Sequence, residues 1–212
     1  SPEKIDIMGQ FVECVQGINE ACNYLDFPVV SGNVSFYNET NGRGIKPTPT
    51  IGGIGKINNV KKIMTCGLKK ENSTIIKIGK TEGHVTQSIF YREILGIKDG
   101  PPPEINLFNE KNNGLTVLEL ISKEFVLSVH DISKGGLITA ISKMCIMGNI
   151  GAKIFLPKKL ISLHNYMFGE DQSRYLIEVE EKHTKDVKKI LEKNGVYSEI
   201  VAKTQNNNLE LD

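Results

Sequence analysis

From Asn58 onward, short apolar runs of strand length alternate with stretches whose apolar residues recur at helical spacing. This alternation restricts that part of the chain to an α+β or layered α/β domain. Residues 74–78, 125–129, 152–156, 173–179 and 196–202 read as strands, with 62–66 a further candidate. Helical patterns run over 84–95, about 114–122 and 182–193. Another passes through Leu137, Ile138, Ile141, Met144 and Cys145. Gly100-Pro101-Pro102-Pro103 is a rigid loop and 157–164 a short helix or loop. Gln205-Asn206-Asn207-Asn208 is expected to be a mobile polar tail.

The front segment is different. Ile7, Phe11, Val15, Ile18, Cys22 and Leu25 form one helical stripe, and Asp26 ends it. Phe27-Pro28 then opens an extended stretch, Pro28 to Thr40, that spends Ser31, Gly32, Asn33 and Ser35 in its middle. A buried strand has no use for a central glycine unless a ligand or another backbone comes close. Alternation puts Ser31, Asn33 and Ser35 on one side of the extended chain. Three small polar groups beside bare backbone suit an anionic ligand or a hydrated metal. They also suit a polar edge strand ending in the turn at 38–44, and spacing alone does not separate the two. Pro47-Thr48-Pro49 and the Ile/Gly alternation over 51–57 read as a second extended segment. Helix, strand, loop, strand is too little to close a core, and the segment starts abruptly.

Composition removes several classes. An apolar fraction of 39% over 212 residues allows a real core, and a net charge of +1 gives no support to nucleic-acid or membrane-surface binding. No apolar run approaches the ~20 residues of a membrane span. No signal peptide is visible, because Ser1-Pro2-Glu3-Lys4 leads straight into an amphipathic pattern. Cys14, Cys22, Cys66 and Cys145 form no CxxC and no Cys/His cluster, so reduced thiols, no zinc and a cytoplasmic setting are expected.

Two further motifs can carry chemistry. His130-Asp131-Ile132-Ser133-Lys134-Gly135-Gly136 lies at a strand-to-helix junction. The glycine pair offers backbone N–H groups and a dipole end to an anion, and Asp131 offers oxygen to Mg²⁺. Ordinary capping and packing explain the same residues. Gly169-Glu170-Asp171-Gln172-Ser173-Arg174 places two carboxylates before a strand, for a metal, for proton transfer, or as a solvated turn with a local ion pair to Arg174.

Laid end to end, these segments resemble the phosphoribosylformylglycinamidine synthase family, and specifically the C-terminal portion of its synthetase component. The matching stretches are Pro2-Glu3 with Ile7-Met8-Gly9-Gln10-Phe11, residues 31–40, Pro47-Thr48-Pro49 with Ile51-Gly52-Gly53-Ile54-Gly55, residues 83–95 with Tyr91-Arg92-Glu93, residues 130–137 and residues 168–175. Lys134 departs from the pattern, which usually has an acid there. The family belongs to the aminoimidazole ribonucleotide synthetase superfamily.

The resemblance implies an α+β fold: residues 1–57 as the C-terminal part of an ATP-site-forming domain, and 58–212 as a three-layer α/β/α domain with a mixed sheet. It implies an ATP-dependent carbon–nitrogen ligase of purine biosynthesis. Formylglycinamide ribonucleotide is phosphorylated on its formamide oxygen, and ammonia from a glutaminase then displaces phosphate to give the amidine. By carry-over Gly32 contacts ATP, Asn33 binds Mg²⁺ and Ser35 contacts the ribonucleotide. The catalytic histidines of the family belong to its first half and are absent from these residues, so the chain alone is expected to be inactive. His130, Asp131, Gly135, Glu170 and Asp171 correspond to a second, non-catalytic nucleotide site, as auxiliary residues. Expected partners are the missing N-terminal half, a glutaminase subunit and a small bridging subunit. The alternative is a stand-alone nucleotide-binding or interaction module using that second site.

Overall fold

The computed structural model describes residues 1–157, 161–206 and 208–212. The chain divides into two units, Ser1–Asn58 and Asn59–Asp212.

In the first unit the helical stripe becomes α1 (Ile5–Tyr24), with Asp6 in the first turn opposing the helix dipole. The helix ends at Tyr24, Asp26 takes a left-handed φ of +56°, and Pro28 keeps Phe27 out of helical geometry. Phe11 on α1 meets Phe36 edge-on with ring centroids 5.3 Å apart. Tyr37 Oη donates to Glu3 Oε1 at 3.1 Å. The extended stretch pairs only at its end, where β1 (Glu39–Thr40) and β2 (Arg43–Gly44) face each other across Asn41-Gly42. Both turn residues have positive φ, which suits a two-residue hairpin loop. Apart from this hairpin, residues 28–57 carry no strand ladder, although both stretches read as strands. A strand needs a neighbour to take its backbone groups. No residue from Ser1 to Asn58 is buried.

The second unit is built on a six-stranded sheet of order β4-β6-β3-β7-β5-β8. Its strands are β3 (Thr74–Ile78), β4 (Ser128–Asp131), β5 (Gly151–Ile154), β6 (Tyr175–Val179), β7 (Ser198–Gln205) and β8 (Leu209–Leu211). Only the β5–β8 pairing is parallel, so the sheet is mixed. Alternation along β3 and β6 divides the core. Ile75 and Leu176 face α3 (Gly136–Gly148) and α4 (Leu163–Phe168), packing with Leu137, Ile141, Met144 and Met167. Ile76, Ile78, Ile177 and Val179 face α2 (Leu107–Ser122) and α5 (Thr184–Lys193), packing with Val117, Leu120, Val187 and Leu191. Helices on both faces make the three layers that the family resemblance implies.

Several boundaries differ from the sequence reading. Residues 62–66 are not a strand: a 3₁₀ turn over Val60–Lys62 is capped by Asn59, and Val129 N–H then bonds Thr65 O at 3.2 Å. The helix read from about 114 begins at Leu107, because the Asn106 side chain accepts the Asn109 N–H at 3.0 Å. The strand read from 125 begins at Ser128, since the end of α2 continues through a left-handed Glu124. The polar tail is not free. β7 runs to Gln205, Asn206 O accepts the Gly151 N–H at 2.9 Å, and the chain returns as β8 beside β5. Asn207, and residues 158–160 of the segment read as a short helix or loop, lie outside the described residues.

Candidate functional site

Gly32, Asn33 and Ser35 lie on the exposed extended stretch of the first unit, along a groove of about 850 Å³. The apolar side of α1, with Met8, Phe11 and Val15, forms one wall, and residues 44–51 line another side. A Cβ built on Gly32 would meet no atom within 4 Å. The glycine is therefore not required by packing inside its own unit. The side chains of Ser31, Asn33 and Ser35 make no hydrogen bond among the described residues. Their donors and acceptors face outward with no internal use.

The second unit brings three of the five auxiliary residues, Gly135, Glu170 and Asp171, into one set of contacts. Asp171 accepts from the Gly83 and His84 N–H groups, both at 3.0 Å. Glu170 Oε1 accepts from the Ile89 and Gly135 N–H groups, both at 2.8 Å. Two adjacent carboxylates thus hold four backbone donors from two loops. This explains why residues 84–95 are not the helix that their pattern suggests. Their first N–H groups bond carboxylates, Gln87 takes φ +60°, and only a π-type turn over Phe90–Ile94 forms. The glycine donor that the sequence leaves open to an anion is taken by Glu170. Gly135 and Gly136 have φ of +83° and +69°, and a Cβ on Gly136 would strike Met167 O at 2.6 Å. Backbone geometry and packing therefore require this pair.

Arg174 lies behind the carboxylates and is buried, not a solvated partner. It donates to Asp171 O at 3.0 Å, Gly169 O at 2.6 Å and Thr81 Oγ1 at 3.2 Å, and sits 3.6 Å from Asp171 Oδ2. Burial pulls the guanidinium below its ordinary value, while Asp171 and Glu170 push it back up. A second buried cation went unnoticed in the sequence. Lys77 interrupts the apolar run of β3, pairs with Glu199 at 3.0 Å and donates to Thr81 Oγ1 at 2.7 Å. The signal for it was a lysine inside Thr-Ile-Ile-Lys-Ile.

His130 and Asp131 end β4 with their own local contact, His130 Nδ1 lying 2.6 Å from Asp131 O and 3.3 Å from its carboxylate. Asp131 and Lys134 are exposed. Among the described residues no three His, Cys, Asp or Glu side chains gather to hold a metal. No helix among them is long and apolar enough to cross a membrane.

The model of the AIR synthase related protein C-terminal domain matches residues 70–211, and that of the N-terminal domain matches residues 2–57. The chain belongs to the AIR synthase related protein family. Within it, the chain is 54% identical over 212 residues to the phosphoribosylformylglycinamidine synthase subunit PurL of Pelagibacter ubique, covering 100% of this chain and 29% of that protein. It is 46% identical to the subunit of the same name from Parvibaculum lavamentivorans, again over 29% of the relative. The chain thus spans under a third of the length of these curated relatives. Among solved structures, T. maritima PurL complexed with FGAR aligns with a TM-score of 0.60 at 18% identity, over 69% of this chain and 26% of that one. T. maritima PurL complexed with ATP aligns with a TM-score of 0.55 at 18% identity, over 69% and 24%. At that identity the structures establish the fold alone, and it is the AIR synthase type.

Proposed function

We propose that this chain is the C-terminal portion of a phosphoribosylformylglycinamidine synthase synthetase subunit. In the assembled protein it supplies one wall of an ATP site formed with residues outside this chain. The observation that carries the reading is the exposed stretch at Ser31–Ser35, whose glycine is unhindered and whose polar side chains have no internal partner. On this reading Gly32 lets ATP approach the backbone, and the Ser35 hydroxyl donates to the ribonucleotide. The Asn33 side-chain oxygen is a hard, unbonded ligand and fits Mg²⁺ as one contribution. Mg²⁺ favours few protein ligands beside waters and phosphates, so the other ligands come from there and from elsewhere in the protein. Bound Mg²⁺ would neutralise phosphate oxygens during transfer of phosphate to the formamide oxygen.

Residues 1–57 are then the closing part of an ATP-site-forming domain, and residues 58–212 are the three-layer domain that follows it. The 212 residues alone do not catalyse the reaction, because the remaining walls belong to the rest of the subunit. A glutaminase subunit delivers ammonia, and a small third subunit joins the complex. His130, Asp131, Gly135, Glu170 and Asp171 have a supporting part. A stand-alone nucleotide module gains nothing from the second unit, whose Gly135 donor is already held by Glu170.

The test is Asn33→Ala in the full-length protein, with ATP turnover measured against Mg²⁺ concentration. The reading expects the half-saturating Mg²⁺ concentration to rise at least tenfold, while folding of the chain is unchanged. An unaltered Mg²⁺ dependence would remove the metal assignment. ATP turnover by the isolated 212 residues would overturn the incomplete-site reading.

A further inference from the structure

On the α3–α4 side of the sheet, Lys77, Thr81, Tyr166, Tyr197 and Glu199, with Pro157 and Ile161, line a void of about 10 Å³. Lys77 Nζ lies 4.8 Å from the centre of the Tyr166 ring. Tyr166 is only 3% exposed, and its hydroxyl makes no hydrogen bond. Burial first, and the Glu199 carboxylate second, push this phenol well above its ordinary range, so it is a neutral O–H donor at any ordinary pH. Glu199 raises it by its charge and by a close hydrogen-bonding approach, which falls short of a full hydrogen bond.

Counting protons gives a second, independent sign. Thr81 Oγ1 accepts from Lys77 at 2.7 Å and from Arg174 at 3.2 Å. An ammonium and a guanidinium are donors only, so both bonds use the lone pairs of the hydroxyl. Its own proton is left over, and among the described residues no acceptor takes it. Two buried O–H donors therefore border one small polar void beside a carboxylate. A buried donor without an acceptor costs about 1–3 kcal/mol, and two such penalties at one place are rare in a folded protein.

We infer that the void holds one ordered water that accepts from Tyr166 Oη and Thr81 Oγ1 and donates to Glu199. The volume admits a single water and nothing larger, and the three partners match what a buried water needs. With that water in place, Tyr166, Lys77, Thr81, Arg174 and Asp171 join the half-buried Glu199 in one continuous network. Its two cations and two carboxylates balance. The network runs from the middle of the sheet to the carboxylates that hold the Gly83–Ile89 loop. This site is separate from the exposed stretch of the first unit and does not depend on its proposed role.

A crystal structure of the protein at a resolution that shows ordered water tests the site. The expected result is one fully occupied peak within hydrogen-bonding distance of Tyr166 Oη, Thr81 Oγ1 and Glu199. Tyr166→Phe and Thr81→Val should each lower its occupancy to half or less, while Thr81→Ser should keep it. An empty void overturns the inference, as does a direct Tyr166–Glu199 bond. A peak of unchanged occupancy in both Tyr166→Phe and Thr81→Val would overturn it too. If Thr81→Val does not fold, the Tyr166→Phe and unsubstituted structures decide alone.

Discussion

Glu170 Oε1 lies 2.8 Å from the Gly135 backbone nitrogen, so a carboxylate of the chain itself occupies the N-terminus of α3. The same oxygen takes the Ile89 N–H, joining two loops that are far apart in sequence. Glu170→Ala leaves both donors without an acceptor. Hydrogen bonds to a charged group are worth about 1.5–3 kcal/mol each, and solvent reaches part of this site, so a total loss of about 2–3 kcal/mol is expected. Urea unfolding measures it. Hydrogen exchange should show faster amide exchange at Ile89 and Gly135, with the core strand Thr74–Ile78 less affected.

Arg174 is a stricter case. It is 2% exposed and donates to two carbonyls and a hydroxyl. Arg174→Met removes the cation and leaves Asp171 buried beside unpaired carbonyls. Breaking a buried pair from one side costs about 3–5 kcal/mol. Arg174→Lys should recover little, because a single ammonium cannot reach all three acceptors that the planar fork spans. Thermal unfolding of both variants checks this.

Burial raises the Cys145 thiol from 9.0 to about 11. The unfolded chain then loses its proton at a lower pH than the folded chain does. Stability is unaffected below pH 9 and falls as pH rises from 9 to about 11, by on the order of 2–3 kcal/mol. Comparison with Cys145→Ala isolates this slope from that of Tyr166, which titrates higher still. Below pH 9, alkylation of Cys145 should require unfolding.

Gly32→Ala separates a binding role from a folding one. A new methyl group there meets nothing within 4 Å. Stability should change by less than about 0.5 kcal/mol, as at an ordinary surface position. If ATP approaches this backbone in the full-length protein, KM for ATP should rise severalfold with little change in the melting temperature. An unchanged KM would argue against Gly32 as a contact.

Residue spacing alone limited the second unit to an α+β or layered α/β class and made most of its elements legible. Short apolar runs and apolar spacing at 3.6 residues depend on which side chains face a core, so the strand over 74–78 and the Leu137/Ile141 stripe were legible without coordinates. The sequence also identified Ser31–Thr40 as unlike a buried strand. Tertiary structure decided what local pattern cannot encode. Residues 84–95 carry a helical pattern, yet carboxylates 81 and 87 residues downstream take the Ile89 and His84 N–H groups. Gly135-Gly136 reads as either an anion cradle or an ordinary cap, and Glu170 takes the Gly135 donor while Ser133 O takes that of Gly136. The Gln205–Asn208 region reads as a tail, yet β5 offers an edge that draws Leu209–Leu211 into the sheet. In each case a partner distant in sequence satisfied a backbone group that local chemistry left open, and only the folded chain brings such partners within reach.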